Sequence, residues 1–281
     1  MSIKPKIIGL PYEEGAYWRK GMKEGPEAVW EQLKKMRRYS VAAGKKLEWD
    51  FEDIYSGNLD LCPYQKDTCL QKIEQSVKEV LCSGCAPVIL GGDHSVTLPV
   101  IRAISKHMGN REFSIIQFDA HSDTFNHVEG YEYHHGAVFR NVVEEGLVLP
   151  ENIYQFGIRG QVRDNGMEFV DKQGVNCIAM KDFRSKECSI KNYNLPKDKL
   201  YYVSIDIDVV DPAFAPGTGV PVPGGLTSFE ILDIVEQLKD YNLIGFDVVE
   251  VAPIYDPADI TSLLAANIAF ELLVQGRFVS F

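Results

Sequence analysis

The feature that most constrains the fold is a regular alternation of short apolar runs with longer amphipathic stretches along the 281 residues. The apolar runs, which resemble strands, are Lys6–Leu10, Pro87–Leu90, Phe113–Phe118, Ile153–Ile158, Val175–Ala179, Leu200–Ile207 and Leu243–Val251. The stretches with helical periodicity are Pro26–Lys35, Asp67–Leu81, Leu98–His107, Asn165–Lys172, Ser228–Lys239 and Asp259–Gln275. Strands that are apolar on both faces are typical of a parallel sheet covered by helices on both sides.

This alternation predicts an α/β protein: a single three-layer α/β/α domain with a doubly wound, mainly parallel sheet. No repeat, low-complexity tract or linker divides the chain, so we expect one domain over residues 1–281. Ligands of open parallel sheets bind beyond the carboxyl ends of the strands. A functional site is therefore expected where polar residues directly follow the apolar runs.

Composition excludes several classes of function. The formal net charge, 29 − 40 = −11, disfavours a nucleic-acid partner and allows a cationic small molecule. No apolar run approaches the roughly 20 residues of a membrane helix, and the N-terminus lacks the apolar segment of a signal peptide. We therefore expect a cytoplasmic protein with no membrane partner.

The six cysteines are scattered along the chain, which is typical of reduced intracellular thiols rather than of a disulfide framework. Cys82 and Cys85 form a C-x-x-C pair. This pair follows a helix-like stretch, whereas a redox pair would precede a helix, so we interpret it as structural.

Acidic residues and histidines follow three of the apolar runs. VILGGDHS contains Asp93 and His94, SIIQFDAHSD contains Asp119, His121 and Asp123, and YYVSIDIDVVDP contains Asp206 and Asp208. Side chains two positions apart project to the same side of an extended backbone. If the extended conformation continues past each strand end, the side chains within each of the last two segments point together.

These groups predict a metal site. Carboxylates at the end of an apolar strand are costly unless they are paired or bind a metal, and the three segments contain no Lys or Arg. The expected ligands are His94, Asp119, His121, Asp123, Asp206 and Asp208. Six ligand residues, four of them carboxylates that can bridge, favour two ions over one. A ligand set rich in oxygen and free of thiolate favours manganese over zinc.

Taken together, GGDHS, DAHSD and SIDIDVVDP resemble the three metal signatures of the ureohydrolase (arginase/agmatinase) superfamily. The N-terminal segment GLPYEEGAYWRKGMKEGP is also similar to that family, and GFDVVEVAP carries Glu250 where the family has a guanidinium-binding glutamate. The resemblance implies an arginase-like α/β/α domain, a homotrimer or homohexamer, and two Mn²⁺ per chain. It also implies hydrolysis of a small cationic guanidino substrate to an amine and urea.

The resemblance also implies a role for each residue. One manganese would be held by His94, Asp119, Asp123 and Asp206, and the other by His121, Asp119, Asp206 and Asp208. Asp93 and Asp211 would support the structure. Asp123 would steady the nucleophile, Glu250 would hold the guanidinium, and a histidine of the family's H-G pair would protonate the leaving amine. YEYHHGAVFR offers His134 and His135, and the match favours His135 because Gly136 follows it.

The substrate is expected to lack an amino-acid group. Phe125 stands where arginases have an asparagine, and Gly160 replaces an acidic residue, so the clamp for the α-amino acid is missing. GIRG and HHGAVFR resemble the agmatinase branch, and we expect agmatine to be converted to putrescine and urea. Other ureohydrolases remain open: a guanidinobutyrase, guanidinopropionase, guanidine hydrolase, arginase or formimidoylglutamase. So do a catalytically silent scaffold and, less well matched, an amide hydrolase on a related fold.

Overall fold

A nine-stranded sheet forms the centre of the protein. The computed structural model describes residues 3–62, 66–126, 132–162 and 164–280. The main strands are β1 (Pro5–Leu10), β4 (Tyr55–Asn58), β5 (Ala86–Gly91), β6 (Ser114–Phe118), β7 (Ile153–Ile158), β8 (Asn176–Ala179), β9 (Leu200–Asp206), β10 (Asn242–Val249) and β11 (Arg277–Phe278). A separate antiparallel hairpin consists of β2 (Tyr39–Ser40) and β3 (Lys45–Lys46).

The strand order is β4-β1-β5-β10-β9-β6-β7-β8, and β11 pairs with β10. Every strand pair of this sheet is parallel within the described ranges. Strands β5, β10, β9 and β6 are consecutive neighbours. Since parallel strands end at the same edge, the segments that follow these four strands lie side by side.

Helices cover both faces of the sheet. They are α1 (Gly25–Leu33), α2 (Phe51–Ile54), α3 (Lys66–Cys82), α4 (Thr97–Met108), α5 (Val138–Glu144), α6 (Asp164–Gln173), α7 (Met180–Ser185), α8 (Ser228–Gln237) and α9 (Ile260–Gln275). Val88 and Leu90 of β5 belong to a core that includes residues of α1, α8 and α9. Ile89, between them, belongs to a second core shared with α3, α4 and α5. The α/β/α layering predicted from the apolar runs is therefore confirmed.

Each of the predicted strands and helices is present; β7 matches its prediction at both ends, and the ends of the others differ by at most a few residues. The predicted β10 extends to Val251, but the strand ends at Val249, because Glu250 adopts a left-handed backbone with φ 64°. The sequence reading missed the hairpin β2–β3, the edge strand β4, β11, and the short helices α2, α5 and α7.

The C-terminal helix is unusually apolar. Residues Pro257–Gln275 are long and apolar enough, by length and composition alone, to cross a membrane, with a mean hydropathy of 1.4. However, 61% of this apolar stretch is buried inside the protein, where α9 packs against α1 and α8. A helix enclosed by other elements is apolar nearly all round, so burial in the core accounts for this composition.

Candidate metal centre

Four neighbouring strands deliver the candidate ligands to one edge of the sheet. His94 follows β5, Glu250 follows β10, Asp206 ends β9, and Asp119 follows β6. These four residues are buried, although they come from positions up to 156 residues apart. Convergence of polar groups at the carboxyl edge is the arrangement expected for a ligand site of a parallel sheet.

The first group of potential ligands surrounds His94. Its Nδ1 lies 3.2 Å from Asp119 Oδ2, 3.0 Å from Asp123 Oδ2 and 3.4 Å from Asp206 Oδ2. This buried nitrogen makes no hydrogen bond of acceptable geometry within the described part of the chain. An imidazole nitrogen facing three carboxylate oxygens at these distances fits a cation placed between them.

The second group lies next to the first and shares Asp119. His121 Nδ1 is 3.0 Å from Asp208 Oδ2 and 3.5 Å from Asp119 Oδ1. Ligand atoms of His94, Asp119 and Asp206 lie within 4.8 Å of one another, and so do those of Asp119, His121 and Asp208. Two overlapping groups joined through one carboxylate are the geometry expected of a dinuclear site.

The backbone reaches this geometry by turning, so the prediction that extended alternation continues past the strands is wrong. β6 ends at Phe118, and Asp123 is left-handed with φ 50°. The backbone N–H of His121 donates to Asp119 Oδ1 at 2.6 Å. Similarly, Asp208 lies in a 3₁₀ turn, and its backbone N–H donates to Asp206 Oδ1 at 2.8 Å. The carboxylates thus hold the turns that orient them.

A hydrogen-bond relay orients the His94 ring from behind. Ser204 Oγ donates to Asp247 Oδ1 at 2.6 Å, so its oxygen accepts from His94 Nε2 at 2.9 Å. Asp247 Oδ2 accepts from Tyr202 Oη at 2.8 Å and Thr97 Oγ1 at 2.9 Å. Because Nε2 donates to Ser204, Nδ1 is the ring nitrogen that points toward the carboxylates and would bind a cation there.

A pair of buried amides supports Asp119. Gln117 Nε2 donates to Asp119 Oδ2 at 2.7 Å, and Gln155 Nε2 donates to Gln117 Oε1 at 2.6 Å. Gln155 Nε2 also donates to the carbonyl of Ser122 at 2.6 Å. The two side chains therefore tie the segment 119–123 to the interiors of β6 and β7.

Glu250 and His135 face each other across the site. His135 Nδ1 is 2.9 Å from Glu250 Oε1, which also accepts from the backbone N–H of His94 at 2.8 Å. Glu250 Oε2 is buried and makes no hydrogen bond within the described residues. One oxygen of this carboxylate is thus fixed by the protein, and the other is available to a ligand.

Burial and mutual repulsion make the anionic cluster electrostatically costly. Burial raises the pKa of Asp123 to about 6, with Asp119 adding to the shift, and burial with Asp208 and Asp119 raises that of Asp206 well above its usual range. Burial opposes charge on His135, but Glu250 outweighs it and raises the pKa of His135 to about 9. Burial likewise opposes charge on His94, yet Asp119, Asp123 and Asp206 raise its pKa. Such a cluster favours a cation.

A small cavity of about 30 Å³ opens against these groups. It is lined by Tyr17, His121, Asp123, Phe125, His135, Gly136, Asp206, Asp208, Val220 and Glu250. A larger cavity of about 840 Å³ lies between α3 and α4, but its lining contains none of the candidate ligands. The site is therefore identified by its converging polar side chains rather than by the size of its cavity.

Three other residues singled out in the sequence lie beside the cluster. Asp93 Oδ2 accepts from the backbone N–H of Gly15 at 2.7 Å, and Asp211 Oδ2 accepts from that of Gly224 at 2.6 Å, so both hold loops. His134 Nε2 is 3.2 Å from the carbonyl of Asn126. His134 is absent from the cavity lining, which includes His135.

Sequence reasoning missed the residues that support the site, namely Gln117, Gln155, Ser204, Asp247 and Arg159. Arg159 donates to the carbonyls of Asp208 at 2.6 Å and Val222 at 2.7 Å, and so connects the cluster to the loop that carries Val220. A polar residue inside an otherwise apolar strand is the signal that could have found the others.

Comparison with known proteins agrees with this geometry. A family model described as the Arginase family matches residues 4–274. The chain belongs to the arginase family. The proclavaminate amidinohydrolase of Streptomyces clavuligerus is 35% identical, with 96% of this chain and 87% of that protein covered. The agmatinase of Cronobacter sakazakii is 36% identical, with 95% and 85% covered.

Solved structures of arginase-family proteins share the fold. The Streptomyces clavuligerus proclavaminate amidinohydrolase superposes with a TM-score of 0.88 at 34% identity, covering 98% of this chain and 92% of that one. The formimidoylglutamase of Bacillus subtilis gives 0.87 at 29% identity, covering 98% and 88%. The resemblance noted in the sequence is thus confirmed. The chain is a ureohydrolase, a hydrolase that acts on the C–N bonds of linear amidines.

Proposed function

We propose that this chain binds two Mn²⁺ and hydrolyses agmatine to putrescine and urea. His94, Asp119, Asp123 and Asp206 would hold one ion, and His121, Asp119, Asp206 and Asp208 the other. The observation that carries the proposal is the pair of overlapping ligand groups that share Asp119. When bound, such a pair of ions lowers the pKa of water and so supplies a nucleophile at neutral pH.

The residues present suit these ions. The donors are two imidazoles and four carboxylates, a set in which oxygen predominates and thiolate is lacking, as manganese prefers. The unpartnered Nδ1 of His94 and the repulsion among the aspartates are both relieved by divalent cations. Lys and Arg make no ion pair with these aspartates within the described residues, where the only ion-pair partners are the imidazoles of His94 and His121.

Glu250 is well placed to hold the guanidinium. Its Oε1 is fixed by His135 and by the His94 N–H, its buried Oε2 has no hydrogen bond within the described residues, and Glu250 lines the cavity. A carboxylate in that position binds a cationic guanidinium by charge-assisted hydrogen bonds. The net negative charge expected for the loaded cluster further favours a cation over a phosphate ester.

His135 is suited to supply the leaving-group proton. Water adds to the guanidinium carbon, the bond from that carbon to the alkyl nitrogen breaks, and the departing amine gains a proton. With its pKa raised by Glu250, His135 carries a proton at neutral pH. Protonation of a poor leaving group by a nearby acid is a standard contribution to amide-type hydrolysis.

Agmatine is favoured among guanidino compounds because the cavity wall outside the cluster is apolar. Tyr17, Phe125 and Val220 line it, and the described part of this wall offers no cation for an α-carboxylate. Relatives named for agmatine and for proclavaminate are about equally similar, so sequence identity alone does not rank these substrates.

We also propose that the protein is a cytoplasmic homo-oligomer, a trimer or a hexamer. The six free thiols suit a reducing compartment.

The proposal is tested with purified protein loaded with Mn²⁺. We expect two manganese ions per chain and urea release that is fastest with agmatine in a panel with arginine, 4-guanidinobutyrate and guanidine. Asp206→Asn should lose metal and activity together. A fully loaded protein that released urea from none of the four compounds would contradict the proposed function.

A further inference from the structure

We propose that Phe125 determines substrate specificity, acting as a fixed apolar wall against the carbon chain next to the guanidinium. The inference rests on the proposed function, since it assumes that the guanidinium lies at Glu250. It adds a chemical class: an unbranched alkylguanidine whose first carbons are uncharged. The argument depends on how Phe125 is held and on what else lines the cavity.

Phe125 is held by two glycines. A Cβ at Gly166 would lie 2.6 Å from Cδ1 of the Phe125 ring, and one at Gly136 would lie 2.9 Å from Cδ2. The ring therefore occupies a slot that exists only because both positions lack a side chain. The backbone N–H of Phe125 also donates to the carbonyl of Gly136 at 2.9 Å. With 7% of the residue exposed, the ring has little freedom to move away.

The remaining lining limits where a substrate chain can lie. Among the described residues, every part of the lining other than Phe125, Tyr17, Gly136 and Val220 belongs to the proposed ligands or to the His135–Glu250 pair. Tyr17 lies over His135, with ring centroids 4.7 Å apart. A cavity of about 30 Å³ has room for only about two water-sized groups, so the carbon chain of a substrate must extend out of it past the apolar residues.

This position predicts how specificity changes when the ring is altered. One methylene in an apolar pocket typically changes kcat/KM by about tenfold or more. Phe125→Leu should therefore lower kcat/KM for propylguanidine and agmatine by about tenfold, while the value for guanidine, which has no chain, stays within about twofold.

Gly166→Ala moves the same ring without touching the substrate. Gly166 has an ordinary helical backbone, so alanine fits the helix, but its methyl group would push the Phe125 ring toward Gly136 and the cavity. We expect kcat/KM for propylguanidine and agmatine to fall again by about tenfold, through KM, with guanidine little changed. Phe113→Ala is the control, because this buried phenylalanine precedes β6 at the opposite edge of the sheet.

The inference is tested by measuring urea release from guanidine, methylguanidine, propylguanidine and agmatine. The manganese content of each variant is measured as well. The inference is overturned if Phe125→Leu and Gly166→Ala lower kcat/KM for guanidine and for the longer compounds by the same factor. It is also overturned if neither variant changes the ratio between them. If the wild-type protein releases urea from no compound, it is the proposed function that fails.

Discussion

Ser204 links the buried Asp247 to the ring of His94, and this position makes it a sensitive probe of the site. Ser204→Ala leaves all six proposed ligands in place but removes the acceptor that fixes the proton on His94 Nε2. Loss of such an outer partner typically lowers metal affinity by about 10–100-fold. We expect a drop in this range, measured by titrating manganese into chelator-treated protein.

Ser114→Ala is a matched control. Ser114 is a fully buried serine at the start of β6, and its hydroxyl makes no hydrogen bond within the described residues. Its removal should leave manganese affinity unchanged. Equal affinities for Ser204→Ala and the wild type would show that the relay does not orient His94.

His135→Asn separates metal binding from proton transfer. His135 contacts Glu250 and is not among the proposed ligands, so the variant should keep two manganese ions per chain. Without an acid for the leaving amine, kcat should fall by about 10²–10⁴-fold. His134→Asn is the comparison, since His134 does not line the cavity. A larger loss of kcat in the His134 variant would reverse the assignment.

Single residues differed in how far the sequence could identify them. The six proposed ligands could be predicted because acidic residues and histidines after the apolar runs lack cationic neighbours in the chain. Ser204, Gln117 and Asp247 were missed because they lie inside β9, β6 and β10, where the pattern indicates only burial. Their hydrogen-bond partners are up to 150 residues away in the chain, and a local sequence pattern does not indicate such contacts.

Helix α8 shows how local signals fix one element. Thr227 Oγ1 accepts from the Glu230 N–H at 3.1 Å, and Glu230 Oε2 accepts from the Thr227 N–H at 2.7 Å, forming a capping box. Thr227→Ala should destabilise the protein by about 1 kcal/mol because an N-terminal N–H loses its acceptor. The measurement is the midpoint of urea unfolding. Thr227→Ser retains the hydroxyl and should stay near the wild type; equal midpoints for all three proteins would argue against the cap.

Long, strongly patterned elements were predictable and short ones were not. The central strands are buried on both faces and read as continuous apolar runs, whereas the edge strand β4 alternates in exposure and contains Gly57. Helices α2 and α7 have only four and six residues, too few for a helical period to be recognised. These elements depend on packing against the sheet rather than on their own sequence pattern.

At the scale of the whole molecule, the site depends on strand order. The sequence indicates that polar residues follow β5, β6, β9 and β10, but local pattern does not indicate that these four strands are neighbours. The family resemblance implied that the ligands share two ions, and the structure gives the strand order that brings them together. Once the order is known, the parallel direction alone brings the four strand ends together, and the turns after them provide the final orientation.

The convergence of these strand ends also brings several aspartates together in a buried place, where their negative charges repel one another. This repulsion should lower the stability of the protein when no metal is bound. Asp206 is buried with Asp208 and Asp119 nearby, so its ionised form is disfavoured, and its pKa is raised. Asp206→Asn removes this charge while its Oδ1 can still accept from the Asp208 N–H. With manganese chelated, we expect the variant to melt a few degrees above the wild type.

With excess manganese, the wild type should instead melt above Asp206→Asn. Ions that bind only the folded wild type stabilise it by mass action, by about 2.7 kcal/mol when the manganese concentration is a hundred times Kd. Thermal unfolding of both proteins in chelator and in manganese gives the four midpoints. Gln75→Ala on the exposed side of α3 should melt with the wild type in both conditions. A wild type that melted above Asp206→Asn even in chelator would mean that the aspartates are balanced within the protein itself, which would leave no electrostatic demand for the ions.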